Sequence, residues 1–230
     1  LLTFRAEKNI RESQVIVGYK TYIGLLVDLT KGKEIIASAM TQEVERVKLA
    51  LAKAREGKKV CLISSGDSGV YGMSGLVLEL LNPELEDKVE IEIIPGVMSA
   101  LGCAAILGAP LMHDFAVISL SDLLTDLKLI EERVSAAAKA DFVIALYNPK
   151  SKKRIGPFER AWNILMKHRN PETPVGIVRN CERDGQQAAI IALKDMLKFK
   201  DVDMTTTIIV GNSQTYVKGK YMITPRGYRL

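Results

Sequence analysis

The sequence of 230 residues is 47% hydrophobic and 26% charged, which is the composition of a globular chain with one large or two modest domains. It has no apolar run near the ~20 residues that a bilayer span needs, and its start from Leu1 to Arg5 lacks the plan of a secretory signal, so we expect a cytoplasmic protein without membrane contact. The formal net charge of +5 suits a negatively charged partner, which could be nucleic acid, an anionic membrane or a small polycarboxylate.

The first half of the chain alternates between helical and strand patterns. Helices are predicted from Leu2 to Ile10, Tyr19 to Asp28, Thr41 to Arg55, Leu76 to Leu81 and Ser99 to Leu107, and strands from Ser13 to Gly18, Lys59 to Ser64 and Val89 to Ile94. Repeated strand–helix order predicts a mostly parallel sheet that is covered on both faces.

The segment from Gly108 to Asp114 interrupts this alternation with closely spaced glycine and proline, and we place a domain boundary there, between residues 1–112 and 113–230. The second half predicts a β-rich α/β domain with a mixed sheet. Its strands are predicted from Phe115 to Leu120, Phe142 to Tyr147, Val175 to Arg179, Ala188 to Ala192, Thr206 to Val210 and Tyr221 to Thr224, and its helices from Leu123 to Ala140, Phe158 to His168 and Lys194 to Leu197. We expect a ligand cleft between the two α/β halves, at the carboxyl ends of their strands.

The segment from Ser64 to Gly75 carries glycines at a spacing of three between a predicted strand and a predicted helix. Glycines permit tight turns and close approach of a ligand to the backbone. Because the carboxylate of Asp67 would repel a phosphate, the loop favours a neutral or cationic ligand with hydroxyl groups. S-adenosylmethionine has ribose hydroxyls, an ammonium group and a sulfonium, and therefore fits. Ordinary turn chemistry is the alternative reading of such a glycine spacing.

The three cysteines, Cys61, Cys103 and Cys181, lie far apart in the sequence and form no Cys-x-x-Cys pair. Neither a disulfide framework nor a zinc site is indicated. We expect reduced thiols that are mostly buried, and no bound metal.

Several segments in order along the chain resemble the tetrapyrrole methylases, and within them the branch that methylates C17 of a corrin precursor. They run from Val17 to Tyr22, Ser65 to Met73, Pro95 to Ala100, His113 to Leu124, Ala145 to Pro149, Gly176 to Asn180 and Thr206 to Thr215. The glycine loop and the Pro-Gly turn are shared across the family, whereas the segments from Gly18 to Tyr22 and from Ser119 to Leu124 resemble the C17 branch in particular. Members of the family begin with a strand and a Gly-x-Gly-Pro-Gly turn that this sequence lacks, so we expect that a preceding segment is absent.

The resemblance implies S-adenosylmethionine as cofactor, a polycarboxylate tetrapyrrole (precorrin-3B or cobalt-factor III) as substrate, ring contraction along with methyl transfer, and a homodimer. The cofactor-binding residues that it implies are Gly66, Asp67, Val70, Ser99, Ala100, Tyr147, Asn148, Asn180 and Thr207.

Candidates for the other roles are fewer. For catalysis we single out Ser121, Asp122 and His113, although Ser121 and Asp122 could instead start a helix and His113 could make a structural hydrogen bond. For the substrate carboxylates we single out Lys20, Arg154 and Arg179, because an arginine fork can bind a carboxylate with two hydrogen bonds. Surface solvation accounts for these cations equally well.

Three rival readings remain open at the level of sequence. A methylase of the same fold that acts on RNA or on a diphthamide precursor would need a surface for a large partner, for which the basic group of Lys150, Lys152, Lys153 and Arg154 is the one hint. A basic nucleic-acid-binding module would rest on the same group, which lacks interleaved aromatic residues. A nucleotide-binding oxidoreductase is disfavoured because Asp67 opposes a pyrophosphate.

Overall fold

The computed structural model describes residues 1–83, 88–151 and 154–229. The chain divides into two compact units, Leu1–Met98 and Ser99–Leu230. The boundary predicted after residue 112 therefore falls inside the second unit. The helix Ser99–Leu107 belongs to the second unit because it packs on the strands there, and the side chain of Leu107 lies against Gly176.

The first unit is a three-stranded parallel sheet with helices on both faces. Its elements are α1 (Phe4–Glu12), β1 (Val15–Tyr19), α2 (Lys20–Gly24), α3 (Val27–Thr30), β2 (Glu34–Ser38), α4 (Glu43–Arg55), β3 (Val60–Ile63) and α5 (Ser74–Leu80). The strand β1 lies between β2 and β3, with Val17 opposite Ile36 and Leu62.

The alternating side chains of β1 explain why both faces of this sheet are covered. Ile16 points to a cluster that contains Ile10 of α1 and Ile23 of α2. Val15 and Val17 point the other way, to Ala50 of α4. Successive side chains of a strand lie on opposite faces, so an apolar run such as Val15 to Val17 needs packing partners on both sides.

The second unit is built on a five-stranded mixed sheet of order β5-β6-β9-β7-β8. Its elements are α6 (Ser99–Leu107), β4 (Gly108–Ala109), β5 (Phe115–Ser119), α7 (Leu127–Lys139), β6 (Val143–Tyr147), α8 (Gly156–His168), β7 (Pro174–Arg179), β8 (Gln187–Ala192), a 3-10 helix (Leu193–Lys198), β9 (Thr206–Val210), β10 (Tyr216–Lys218) and β11 (Tyr221–Ile223). Strand β5 is parallel to β6, and β9 is antiparallel to both β6 and β7, so β5, β6 and β7 run in the same direction.

The two faces of the second sheet carry separate apolar clusters. Ile144 and Leu146 of β6 face a large cluster that includes Leu165 of α8. Val143 faces a smaller one that includes Cys103 of α6. A three-stranded sheet of order β10-β11-β4 completes the unit.

The predicted fold class is confirmed: the first unit has a parallel sheet and the second a mixed one. The predicted cleft between the halves stays a prediction. No helix within residues 1–83, 88–151 and 154–229 is long and apolar enough to cross a membrane.

Some predicted elements differ in the structure. The prediction of a strand from Val89 to Ile94 is wrong. None of the strands described pairs with this segment, and side chains such as Ile93 are exposed. The helix predicted from Tyr19 to Asp28 is divided after Gly24, a residue that destabilises a helix interior. The strand β2 was not predicted, although its run of Ile35, Ile36 and Ala37 after a glycine is typical of a strand.

The long helix of the second unit begins later than predicted. It starts at Leu127, where the Asp126 carboxylate accepts a hydrogen bond of 2.7 Å from the Lys128 amide. Asp126 is therefore the N-cap, and the alternative in which Ser121 and Asp122 start this helix is wrong. The short strands β4 and β10 were not predicted either.

Candidate functional site

The glycine loop of the first unit follows β3 at the carboxyl edge of the parallel sheet. Both oxygens of its Asp67 carboxylate accept from the backbone: Oδ1 from the Gly69 amide and Oδ2 from the Gly96 amide, both at 2.8 Å. These hydrogen bonds, first from Gly96 and then from Gly69, hold the pKa of Asp67 below its ordinary value of 3.8. Asp67 is thus an anion that joins the loop to the Pro95-Gly96 turn.

The approach of these two segments requires glycine at position 96. A Cβ atom built on Gly96 would overlap the backbone carbonyl oxygen of Gly66. Gly66 itself has a φ of 70°, in the left-handed region that favours glycine. Val70, another predicted cofactor residue, is half-buried in the same loop.

Lys20 also lies at this edge of the first unit. It begins α2 directly after β1, and its side chain is exposed. Gly18 of β1 is opposite Ile63 of β3, so the parallel pairing brings Lys20 to the same end of the sheet as the glycine loop. The position is compatible with the predicted substrate role.

The second unit collects most of the other predicted residues at one edge of its sheet. We call it the carboxyl edge: the place where β5, β6 and β7 end and β9 begins. Tyr147, Arg179 and Thr207 lie there because β9 pairs Thr207 with Val178 and Thr206 with Arg179, and Ile208 with Leu146.

The start of α6 is tied to the carboxyl edge by two hydrogen bonds. The Ala100 amide donates to the Tyr147 hydroxyl at 2.8 Å, and the hydroxyls of Ser99 and Thr207 are 3.0 Å apart. Thr207 is buried. Four of the predicted cofactor residues are therefore in one connected group.

Two asparagines occupy equivalent positions just past strands. Asn148 follows β6 and Asn180 follows β7, and each has a φ of 50°. Asparagine tolerates this left-handed conformation better than most residues, so both chains can turn sharply at the carboxyl edge. The side-chain Nδ2 of Asn148 donates to the Ser119 hydroxyl at 3.0 Å.

Arg154 holds the loops that follow β5 and β6 together. Its guanidinium donates to the carbonyl oxygens of Leu120 at 2.5 Å and Asn148 at 2.8 Å, and its Nε lies 3.7 Å from the Asp122 carboxylate. Burial lowers the pKa of Arg154, and the charge of Asp122 opposes that shift. Arg154 therefore holds these two loops in place, and its predicted substrate role stays a prediction. Lys152 and Lys153 of the predicted basic group lie outside the described residues.

Arg179 is also engaged with a neighbour. Its Nε donates to the Asp203 carboxylate at 2.8 Å. Burial raises the pKa of Asp203, but hydrogen bonds from Thr205 and Arg179 outweigh that effect and leave the pKa lowered. About a third of the Arg179 side chain remains exposed.

The three predicted catalytic residues are not brought together. Ser121 and Asp122 lie beyond the carboxyl end of β5, and the Ser121 amide donates to Ser119 Oγ at 3.2 Å. His113 precedes β5 at its amino end, and its Nδ1 accepts from the Asp114 amide. The five residues of β5 separate it from the other two by about 17 Å.

Sequence reasoning missed two polar groups at the carboxyl edge. Ser119 accepts from both Asn148 and Ser121, and Asp203 pairs with Arg179. Ser119 is the last residue of β5 and lies one residue before the end of the strand predicted from Phe115 to Leu120, and polar residues at strand ends are a usable signal. Asp203 precedes a strand by three residues, and its pairing depends on the register of β9 with β7, which the sequence pattern does not define.

The comparisons with known proteins concern the chain as a whole. The sequence model of the tetrapyrrole (corrin/porphyrin) methylases matches residues 1–196. A protein of Priestia megaterium named cobalt-factor III methyltransferase is 50% identical over 231 residues, which cover 99% of this chain and 43% of that protein, so this chain spans less than half of that relative. A protein of Salmonella typhimurium named probable cobalt-factor III C(17)-methyltransferase is 47% identical, over 100% of this chain and 95% of that one.

Among solved structures, the methyltransferase CobJ is similar with a TM-score of 0.90 and 35% sequence identity, over 97% of this chain and 93% of that one. The similarity thus extends over both units. The chain belongs to the tetrapyrrole (corrin/porphyrin) methylases.

Proposed function

We propose that this chain is an S-adenosylmethionine-dependent methyltransferase that methylates C17 of a corrin precursor, with ring contraction, in cobalamin biosynthesis. The observation that carries the proposal is the 47% identity over the whole chain to a relative of almost the same length whose name states this activity. The precursor is cobalt-factor III, the compound in the names of the relatives, with precorrin-3B as its metal-free counterpart.

The cofactor is S-adenosylmethionine, and we assign Gly66, Asp67 and Val70 of the first unit to its binding. Both oxygens of Asp67 already accept one backbone amide each. A carboxylate oxygen has a second lone pair, so Asp67 can still accept from a ribose hydroxyl or an ammonium group.

In the second unit we assign Ser99, Ala100, Tyr147, Asn148, Asn180 and Thr207 to the same cofactor. Small side chains at the start of α6 leave room for a nucleoside beside the carboxyl edge. Backbone groups at the left-handed turns of Asn148 and Asn180 offer hydrogen-bonding edges for an adenine.

Methyl transfer is a displacement in line, in which a ring carbon attacks the methyl group and the sulfonium leaves as a thioether. Alignment of two reactants can supply roughly 7–11 kcal/mol of such a barrier. The separation of His113 from Ser121 and Asp122 is compatible with this chemistry, because the transfer step demands no strong general base.

The substrate carboxylates require cations, and the three candidate cations differ in the contacts that they already make. Arg154 is largely buried and already binds two carbonyl oxygens, and Arg179 is paired with Asp203. Lys20 is exposed at the edge of the first unit. We therefore propose Lys20 as the main carboxylate contact, with the exposed part of Arg179 as a second.

The decisive experiment has two parts. Mass spectrometry of cobalt-factor III after incubation with the chain and S-adenosylmethionine should show the gain of one methyl group. Calorimetric titration should show binding of S-adenosylhomocysteine that Asp67→Ala abolishes. If the chain binds an RNA oligomer but not S-adenosylhomocysteine, the rival nucleic-acid reading is correct.

A matched pair of serine variants tests the site at the start of α6. Ser99→Ala removes the hydroxyl that contacts Thr207, and Ser135→Ala removes an exposed hydroxyl that contacts His168. Loss of one hydrogen bond of about 1 kcal/mol corresponds to roughly a fivefold change in affinity. We expect S-adenosylhomocysteine to bind Ser99→Ala about fivefold more weakly than the unsubstituted chain, and Ser135→Ala to bind it unchanged. Equal affinities of the two variants would show that Ser99 is not part of the cofactor site.

Two further properties belong to the proposal as expectations from the family resemblance. The protein works in the cytoplasm, and it forms a homodimer. Light scattering on the purified protein tests the second, and a monomeric mass at micromolar concentration would contradict it.

A further inference from the structure

Arg46 is a buried cation at the edge of the parallel sheet where β1, β2 and β3 end, which we call the loop edge. It lies near the start of α4 and is 4% exposed. Its Nε donates to Ser38 Oγ at 2.6 Å, and its Nη2 donates to the carbonyl oxygen of Ala39 at 2.7 Å. Ser38 is the last residue of β2, which runs parallel to β1 and β3. The guanidinium therefore lies at the same end of the sheet as the glycine loop.

The third contact of Arg46 is with the glycine loop itself. Its Nη1 lies 3.8 Å from Sδ of Met73, the residue directly before α5. A thioether is a weak hydrogen-bond acceptor, and the methionine side chain adapts easily because it is unbranched and has three rotatable bonds. The Met73 side chain therefore covers one end of the guanidinium with a poor partner, and it can move aside for a stronger acceptor.

The positive charge of Arg46 lacks a counter-charge. Among the residues that the structure describes, no carboxylate forms an ion pair with Arg46, whose contacts are the hydroxyl, the carbonyl oxygen and the thioether. The buried Arg169 of the second unit shows the usual arrangement, because it pairs with the Asp141 carboxylate. A buried charge is costly unless an opposite charge accompanies it. An uncompensated guanidinium beside the glycine loop therefore indicates a site that an anion completes.

The charges at the loop edge indicate which class of anion fits. A planar guanidinium matches the two oxygens of a carboxylate, with two parallel hydrogen bonds. Lys20 follows Tyr19, which pairs with Ser38 across β1 and β2, so a second and exposed cation belongs to the same edge. The anionic Asp67 of the glycine loop repels a multiply charged phosphate more than a singly charged carboxylate. A ligand that carries carboxylates is therefore favoured.

We propose that Arg46 binds a carboxylate of a ligand at the loop edge, and that the Met73 side chain moves aside as the carboxylate enters. The inference rests on the proposed function, which offers two sources of the carboxylate: the amino-acid end of the cofactor and an acid side chain of the tetrapyrrole. In both cases the guanidinium exchanges a weak thioether contact for a charge-assisted hydrogen bond. Its bonds to Ser38 and Ala39 hold the fork in place for that exchange.

The test compares the unsubstituted chain with Arg46→Gln in calorimetric titrations with three probes. S-adenosylhomocysteine carries the amino-acid carboxylate, methylthioadenosine lacks it, and uroporphyrin carries carboxylates around a macrocycle. We expect Arg46→Gln to bind S-adenosylhomocysteine or uroporphyrin at least about tenfold more weakly, the factor for loss of one hydrogen bond to a charged group, and methylthioadenosine equally well. The probe that loses affinity identifies the source of the carboxylate. Unchanged affinity for both carboxylate probes overturns the proposal, and so does an equal loss for methylthioadenosine.

Three further variants separate the charge of Arg46 from its part in the framework. Ser38→Ala removes one contact of the guanidinium and leaves its charge, so we expect a smaller loss than in Arg46→Gln. Arg46→Lys keeps the charge without the planar fork, and we expect it to restore part of the affinity. Arg55→Gln removes an exposed cation from the last turn of the same helix and should bind all three probes unchanged. A loss in Ser38→Ala as large as that in Arg46→Gln would overturn the proposal.

Failure of this inference can be distinguished from failure of the proposed function. If cobalt-factor III gains no methyl group and S-adenosylhomocysteine does not bind, the proposed function fails, whereas uroporphyrin still reports on Arg46. If Arg46→Gln methylates with unchanged KM and both affinities are unchanged, the function stands and the carboxylate site fails. Where Arg46→Gln folds poorly, Arg46→Lys decides: binding weakened only for a carboxylate probe supports the site, and unchanged binding of all three probes overturns it.

Discussion

At the scale of single residues, Asp67 acts first as an acceptor for the backbone. Its two hydrogen bonds join the glycine loop to the turn at Gly96, so the residue that we assign to the cofactor also fixes the loop in place. A carboxylate that is pre-oriented by two amides needs no rearrangement when a ligand arrives, which favours binding.

We expect Asp67→Asn to lower the free energy of unfolding by about 1 kcal/mol near neutral pH, because an amide group cannot accept from both Gly69 and Gly96. The difference from the unsubstituted chain should shrink with acid. The folded-state pKa of Asp67 is lowered below 3.8, so the stability that the carboxylate contributes is present above 3.8 and is lost as the pH falls through the folded-state pKa.

Urea unfolding followed by circular dichroism, from about pH 7 to about pH 3, checks this expectation. The control is Asp28→Asn, since that exposed carboxylate contacts the side chain of Lys31 and no backbone amide that we describe. A constant difference between Asp67→Asn and the unsubstituted chain over the whole range would contradict the assignment of the pKa shift to Gly96 and Gly69.

Arg154 is a residue for which the guanidinium shape matters. We expect Arg154→Lys to lower the free energy of unfolding by about 2 kcal/mol, because one ammonium group cannot reach the carbonyl oxygens of Leu120 and Asn148 at once in a buried place. Arg160→Lys is the matched control. Its partner is Glu131 on the surface, and a change within about 0.5 kcal/mol is expected.

Thermal and urea unfolding of both arginine variants give the comparison. Similar losses in the two variants would show that Arg154 contributes as an ordinary surface cation. A loss of stability confined to Arg154→Lys, with the affinity for S-adenosylhomocysteine also reduced, would show that the Arg154 guanidinium holds the loops after β5 and β6 in place.

At the scale of elements, the helices and strands that could be predicted are those whose local sequence pattern is enough to explain their structure. The run from Val15 to Val17 has packing partners on both faces, and α6 has the small side chains that its position requires. The segment from Val89 to Ile94 has an equally strong β-branched pattern, yet it forms no ladder. A strand needs a partner strand to hydrogen-bond with, and the local sequence pattern does not show whether such a partner is present.

In the candidate site, too, some features could be predicted from the local sequence and others depend on tertiary packing. The polar ends of β6 and β7 could be predicted, because an apolar run that turns polar marks a strand end at a sheet edge. The packing of Cys181 against the buried cluster that contains Cys103 could not be predicted, because it depends on which face of the sheet α6 covers. The pairing of Arg179 with Asp203 depends likewise on register.

The packing of α6 on β7 gives a prediction at this scale. A Cβ atom at Gly176 would overlap the Leu107 side chain, which is almost fully buried. We expect Gly176→Ala to cost about 1–3 kcal/mol, because Leu107 must leave its rotamer or α6 must shift. Gly156→Ala is the control, since a Cβ atom there meets open space at the start of α8.

Unfolding by urea measures both glycine variants, and binding of S-adenosylhomocysteine measures the position of α6. A shift of α6 moves Ser99 away from Thr207, so Gly176→Ala should bind the ligand more weakly than Gly156→Ala does. Equal stability of the two variants would mean that β7 and α6 are less closely packed than the contact of Gly176 with Leu107 indicates.

At the scale of the whole molecule, the net charge of +5 and the proposed polycarboxylate substrate attract each other. The Debye length falls from about 10 Å at 0.1 M to about 3 Å at 1 M ionic strength, so long-range attraction is lost over that range. We expect the KM for the corrin precursor to rise several-fold, whereas the Kd for S-adenosylhomocysteine, which has no net charge, changes little.

Two lysine variants separate the general field from a direct contact. Lys20→Gln and Lys31→Gln each remove one exposed positive charge from the first unit, so they change the net charge equally. If Lys20 binds a carboxylate directly, its variant raises the KM at low salt and flattens the dependence on ionic strength more than Lys31→Gln does. Identical salt dependences would leave only the overall charge as the source of the attraction, and the carboxylate contact would then have to be sought at Arg179.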